Sequence, residues 1–101
     1  MAQGYIEEEE YWQKHVIESK EPVVVAFWSV TDQDSMDMVS EFECMESEDM
    51  ACRFIKIDTY KNRLISDRYN IEEIPTVIRL EDGEIVEKVV NPSKEKIKEI
   101  I

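Results

Sequence analysis

An unbroken apolar run, Val23-Val24-Val25-Ala26-Phe27-Trp28, constrains this chain more than any other stretch. Its three successive β-branched side chains are stiff at χ1 and suit a pleated strand better than a helix. A strand with one wet face alternates apolar and polar residues. This one does not alternate, so both of its faces must be covered. The run therefore predicts a central strand in a sheet with helices packed on each side, an α/β architecture. Pro22 marks its start, because proline is tolerated at a strand's edge and not within its ladder.

The flanking segments supply the other layers. Tyr5 and Ile6 predict a short edge strand. From Glu8 to Ser19 the pairs Tyr11/His15 and Trp12/Val16 stand four apart, the spacing of one helical face. Glu7 to Glu10 then fall near the positive end of that helix, where carboxylates are favourable. A polar turn from Thr31 to Asp34 precedes a helix predicted over Ser35 to Ser47, with Met38, Phe42 and Met45 as its inward stripe. Arg53 to Asp58 reads as a second internal strand, and Asn62 to Tyr69 as a short helix with Leu64, Ile65 and Tyr69 inward. After Pro75, Thr76 to Leu80 predicts a third strand. Asp82-Gly83 predicts a two-residue hairpin turn, since that pair takes positive φ readily. Glu84 to Val90 returns, Asn91-Pro92-Ser93 ends the strand and caps a last helix, and Ile97, Ile100 and Ile101 face inward. The predicted order is βαβαβαββα in a single domain over residues 1–101, without linker or repeat.

Composition bounds the function. Twelve basic and 24 acidic residues give a formal charge of −12. Nucleic acid and anionic membranes both require clustered Lys and Arg, so neither is an expected partner. A protein or peptide partner would present a basic or apolar surface. No segment approaches the roughly 20 apolar residues that cross a bilayer, and the N-terminus lacks the pattern of a signal peptide, so a cytoplasmic location is expected. The two cysteines, Cys44 and Cys52, make neither a disulfide framework nor a zinc spacing. Reduced thiols, no metal and no cofactor are expected.

In this order and at these spacings, several motifs resemble the thioredoxin family along essentially the whole chain. They are Val23-Val24-Val25-Ala26-Phe27-Trp28-Ser29, Phe54-Ile55-Lys56-Ile57-Asp58, Tyr69-Asn70-Ile71-Glu72-Glu73-Ile74-Pro75-Thr76, the Asp82-Gly83 turn and Ser93-Lys94-Glu95-Lys96-Ile97. The resemblance implies the thioredoxin fold, a mixed β-sheet flanked by four helices. It also implies a cis bond at Ile74–Pro75, in a loop whose backbone pairs with an extended peptide.

The family's active site, Trp-Cys-Gly-Pro-Cys, falls on Thr31-Asp32-Gln33-Asp34-Ser35. Disulfide exchange needs one thiolate to attack and a second thiol to resolve the mixed disulfide. Asp32 holds the attacking position and Ser35 the resolving one, and neither oxygen group performs that chemistry. The family's buried aspartate in the central strand is Ala26 here, the aromatic before the first cysteine is Thr31, and the glycine beside the groove is Asn91. Loss of the whole apparatus predicts a redox-inactive domain that is not an enzyme.

Two readings remain for the acidic turn. Asp32, Asp34 and Ser35 suit helix capping, worth about 1 kcal/mol. Alternatively, Asp32, Asp34 and Asp37 make a recognition patch for a basic partner. The candidate groove comprises Thr31, Asp32, Gln33, Asp34, Ser35, Ile74, Pro75, Thr76 and Asn91. A calcium loop lacks the required glycine and closing glutamate. Cys52 reads as core and Cys44 as a partly exposed thiol with no activating neighbour, so redox chemistry through either is the competing hypothesis. His15 packs or caps on the first helix. Met38 and Met45 read as core, while Met36 is open between core and contact surface. Phosducin-like proteins, which resemble thioredoxin without the cysteine pair and assist the chaperonin, are a further alternative, although this chain lacks their long helical N-terminal extension. A structural subunit of a complex is another.

Overall fold

The apolar run folds as strand β1 (Val23–Trp28), which among the described residues lies inside a four-stranded sheet of order β2-β1-β3-β4. The computed structural model describes residues 9–48 and 52–101. β1 runs parallel to β2 (Arg53–Asp58) and antiparallel to β3 (Thr76–Glu81), which pairs antiparallel with the edge strand β4 (Glu84–Val90). Among the described residues four helices accompany them: α1, whose π-helical part is Gln13–Ile17, α2 (Gln33–Glu48), α3 (Arg63–Arg68) and α4 (Lys94–Ile100). The expected strand at Tyr5 and Ile6 lies outside the described residues.

Alternation along β1 explains its composition. Val23, Val25 and Phe27 pack in one cluster with Trp12 and Val16 of α1 and Ile65 of α3. Val24 and Ala26 join a second cluster with Met38, Val39, Phe42 and Met45 of α2 and Ile97 and Ile100 of α4. Both faces of one strand are thus dry, which an alternating sequence could not survive. Cys52 is buried in the second cluster, whereas Cys44 is exposed on α2.

Several boundaries depart from the sequence expectation for physical reasons. α2 begins at Gln33, inside the expected turn, because the Asp32 carboxylate accepts the Ser35 N–H at 3.2 Å and starts the helix earlier. On α3 the inward residue beside Ile65 is Ser66, only 4% exposed, while Leu64 is half-buried and outside the packed cluster. Ser66 is tolerated there because its hydroxyl donates to Asn62 O at 3.0 Å. Within α1 the chain widens to π geometry, with Glu18 N–H bonded to Gln13 O at 2.9 Å. Glu9 is not merely helix-start charge, since its carboxylate accepts from Arg68 of α3; Glu7 and Glu8 lie outside the described residues. That bond raises the Arg68 pKa above its usual value against the opposing effect of burial.

The hairpin forms as expected. Asp82 and Gly83 both have positive φ, 54° and 81°, and Gly83 sits so close to Ile17 that a Cβ would meet its carbonyl oxygen at 3.3 Å. Ser93 caps α4 by accepting the Lys96 N–H at 3.1 Å. Ile101 is half-buried against the α2–α4 cluster.

Candidate functional site

Because β1 and β2 are parallel, the loops that follow them leave the sheet at the same end. The Ile71–Ile74 segment, entering antiparallel β3, arrives at that end too. Where the three meet, an open cleft of about 500 Å³ is lined by Thr31, Asp32, Gln33, Thr59, Tyr60, Ile71, Glu72 and Ile74.

The first wall is the turn between β1 and α2, and oxygen atoms hold it together. Ser35 is fully buried. Its hydroxyl accepts the Ser29 N–H at 3.1 Å and has one proton to offer two carbonyls, Asp32 O at 2.9 Å and Ser29 O at 3.1 Å. Ser29 Oγ and Thr31 Oγ1 share a hydrogen bond of 2.8 Å, and Ser29 Oγ also accepts the Thr31 N–H at 3.2 Å. Asp32 serves as the N-cap of α2, while Asp34 lies exposed in its first turn, where negative charge meets the positive end of the helix. Asp37 accepts from the Gln33 amide at 2.9 Å, one helical turn away.

The second wall follows β2. Asp58, 7% exposed, turns its Oδ1 toward the Tyr60 N–H at 2.9 Å and fixes the chain in a tight turn. The Thr59 N–H donates to Trp28 O at 2.9 Å, which ties this turn to the end of β1. Tyr60 is thereby held with its side chain 64% exposed at the cleft. The third wall is the loop before β3. Ile71 and Ile74 are half-buried against the core, the Ile74–Pro75 peptide bond is cis, and Thr76 Oγ1 donates to Glu73 O at 2.6 Å. Behind it, Asn91 N–H donates to Pro75 O at 2.7 Å with φ 49°, a left-handed conformation that Asn tolerates better than most side chains.

The structure brings together part of the groove expected from sequence. Thr31, Asp32, Gln33 and Ile74 line the cleft. Ser35, Pro75 and Thr76 are buried behind it, and Asp34 and Asn91 are exposed outside its lining. Motif reading missed Thr59, Tyr60, Ile71 and Glu72. The signal for Thr59 and Tyr60 was present, since sites in sheets with parallel strands gather where those strands end.

A second hollow of about 520 Å³ runs along α1, lined by Glu9, Glu10, Gln13, Lys14, Glu18 and Arg68. Its charges are mixed, and Glu9 and Arg68 neutralise each other across it. His15 lies nearby, with its ring 4.5 Å from that of Tyr11. Arg53 Nη1 lies 3.0 Å from His15 Nδ1, and because a guanidinium only donates, that nitrogen accepts. Met36 is 36% exposed, so it is surface and not core filler. Among the described residues, no three His, Cys, Asp or Glu side chains are grouped to hold a metal ion, and no helix is long and apolar enough to cross a membrane.

Comparison with known proteins agrees with this architecture. The family model for thioredoxin matches residues 4–101, and the chain belongs to the thioredoxin family. It is 30% identical over 90 residues to thioredoxin M4, chloroplastic, of Arabidopsis thaliana, covering 78% of this chain and 42% of that protein. The chain therefore spans less than half the length of that relative. It is 26% identical over 102 residues to the thioredoxin-like protein CXXS1 of Oryza sativa subsp. japonica, covering 95% of this chain and 74% of that one. Among solved structures, thioredoxin NaTrxh from Nicotiana alata superposes with a TM-score of 0.82 at 22% identity, over 89% of this chain and 81% of that chain.

Proposed function

We propose that this chain is a redox-inactive thioredoxin-like binding module that takes a protein or peptide segment into the cleft between the Thr31–Gln33 turn, Tyr60 and Ile74. The reading rests chiefly on Ser35. Its fully buried hydroxyl is bonded to backbone on three sides, at the position where dithiol chemistry would need a thiol. Asp32, at the attacking position, caps a helix. A carboxylate and a hydroxyl cannot exchange with a disulfide, whereas an open, mainly polar cleft with Ile71 and Ile74 on one wall suits an extended segment. A reducing cytoplasmic setting, in which Cys44 and Cys52 stay thiols, agrees with the reading.

Insulin reduction in the presence of dithiothreitol tests it. The expected rate is that of the dithiol alone, and turnover above this background overturns the proposal. One observation favours a second reading: Cys44 is exposed on α2 and accessible to a mixed disulfide. Under that reading any activity disappears in Cys44→Ser, while the binding reading predicts that this substitution leaves partner binding unchanged.

A further inference from the structure

Resting on the reading of the cleft as a peptide site, we infer that its specificity is for an arginine side chain in the bound segment. Among the described residues, the only charged side chains lining the cleft are those of Asp32 and Glu72, placed on separate walls. Tyr60 lines the same space with 64% of its surface exposed. Ile71 and Ile74 are half-buried and give the cleft apolar wall.

Each of these groups matches one part of an arginine. The guanidinium is planar, stacks on an aromatic face and donates in two directions at once to carboxylate oxygens. Its three-carbon stem lies along apolar surface. Lysine has a compact, strongly hydrated head without the planar fork, so it uses the ring and the two carboxylates less well. Asp32 retains capacity for this role, because one oxygen takes the Ser35 N–H and a carboxylate has roughly four acceptor sites. The overall charge of −12 adds a long-range attraction for a cationic segment.

The test is an amide-shift titration of the isotope-labelled full chain with an acetylated, amidated Ala-Val-Arg-Val-Ala peptide. The same peptide with citrulline in place of arginine keeps the shape and loses the charge. The arginine peptide is expected to shift amides of residues 31–33, 59–60 and 71–74 and to bind about tenfold more tightly than the citrulline peptide, as charge-assisted hydrogen bonds require. Glu72→Gln and Tyr60→Ala, both at exposed positions, are each expected to weaken the arginine peptide more than the citrulline peptide and so to narrow that ratio. Asp32→Asn narrows it too while preserving the cap, since Asn caps as well as Asp. Equal binding of the two peptides at these amides overturns arginine recognition and leaves the groove reading standing. Failure of both peptides to shift these amides overturns the two together.

Discussion

The two sides of the cleft stand differently toward the family resemblance. On the Ile74-Pro75-Thr76 side the residues are those the family resemblance is drawn from, and the loop is held by backbone and hydroxyl bonds that leave its side chains in place. On the Thr31–Ser35 side the backbone also turns from a buried strand into a helix, but here the side chains are tied into the turn itself. Asp32 caps, Ser35 knots the turn and Thr31 bonds to Ser29. The difference shows that the shape of such a site depends on a strand, a helix start and a proline loop, while its chemistry depends on very few atoms.

The shared foundation of both sides is β1, and removing it has the largest effect. Phe27 is fully buried beneath the cleft end of the sheet. Phe27→Ala is expected to lower stability by about 3–5 kcal/mol in urea unfolding. A loss under about 1 kcal/mol would mean that the sides do not share this support.

Next come the knots themselves. Ser35→Ala strands the buried Ser29 N–H, while Ser29 O and Asp32 O keep the Asp32 and Met36 N–H groups, and should cost about 1–3 kcal/mol. Thr76→Val deletes a single hydroxyl bond on the proline-loop side, to Glu73 O, and should cost about 0.5–1.5 kcal/mol. Reversal of that order in the same unfolding experiment would break the contrast between a knotted turn and a simpler loop. Asp32→Ala should cost about 1 kcal/mol for the lost cap, and Asp32→Asn a few tenths at most. Equal losses in the two variants would assign Asp32 a charge role over its hydrogen bond. Smallest of all is Tyr60→Ala, which should leave the unfolding midpoint unchanged, because the ring is exposed and its backbone is held by Asp58.

How far the sequence reached follows from the same physics. β1 was legible because continuous burial leaves a continuous apolar record. The hairpin was legible because Asp82 and Gly83 are chosen by φ. The start of α2 was misplaced by two residues because Thr31 to Asp34 looks polar and turn-like, and only the Asp32–Ser35 bond reveals where the helix begins. Ser66 was passed over in favour of Leu64 because apolarity is a poor guide when a hydroxyl can satisfy itself on the preceding turn.

At the cleft, the half carried by motif was found and the half carried by topology was not. Tyr60 belongs to no motif, and the motif that contains Glu72 does not mark it as a cleft residue. They arrive through the parallel pairing of β1 with β2 and through the path of the loop into β3, neither of which a local pattern records.

The most direct measurement compares insulin reduction by the native chain and by an Asp32→Cys/Ser35→Cys variant under identical dithiothreitol. If oxygen has replaced sulfur on an otherwise intact scaffold, the native chain runs at the rate of the dithiol alone and the double variant runs faster. Native turnover above that rate would contradict the account, whatever the variant does.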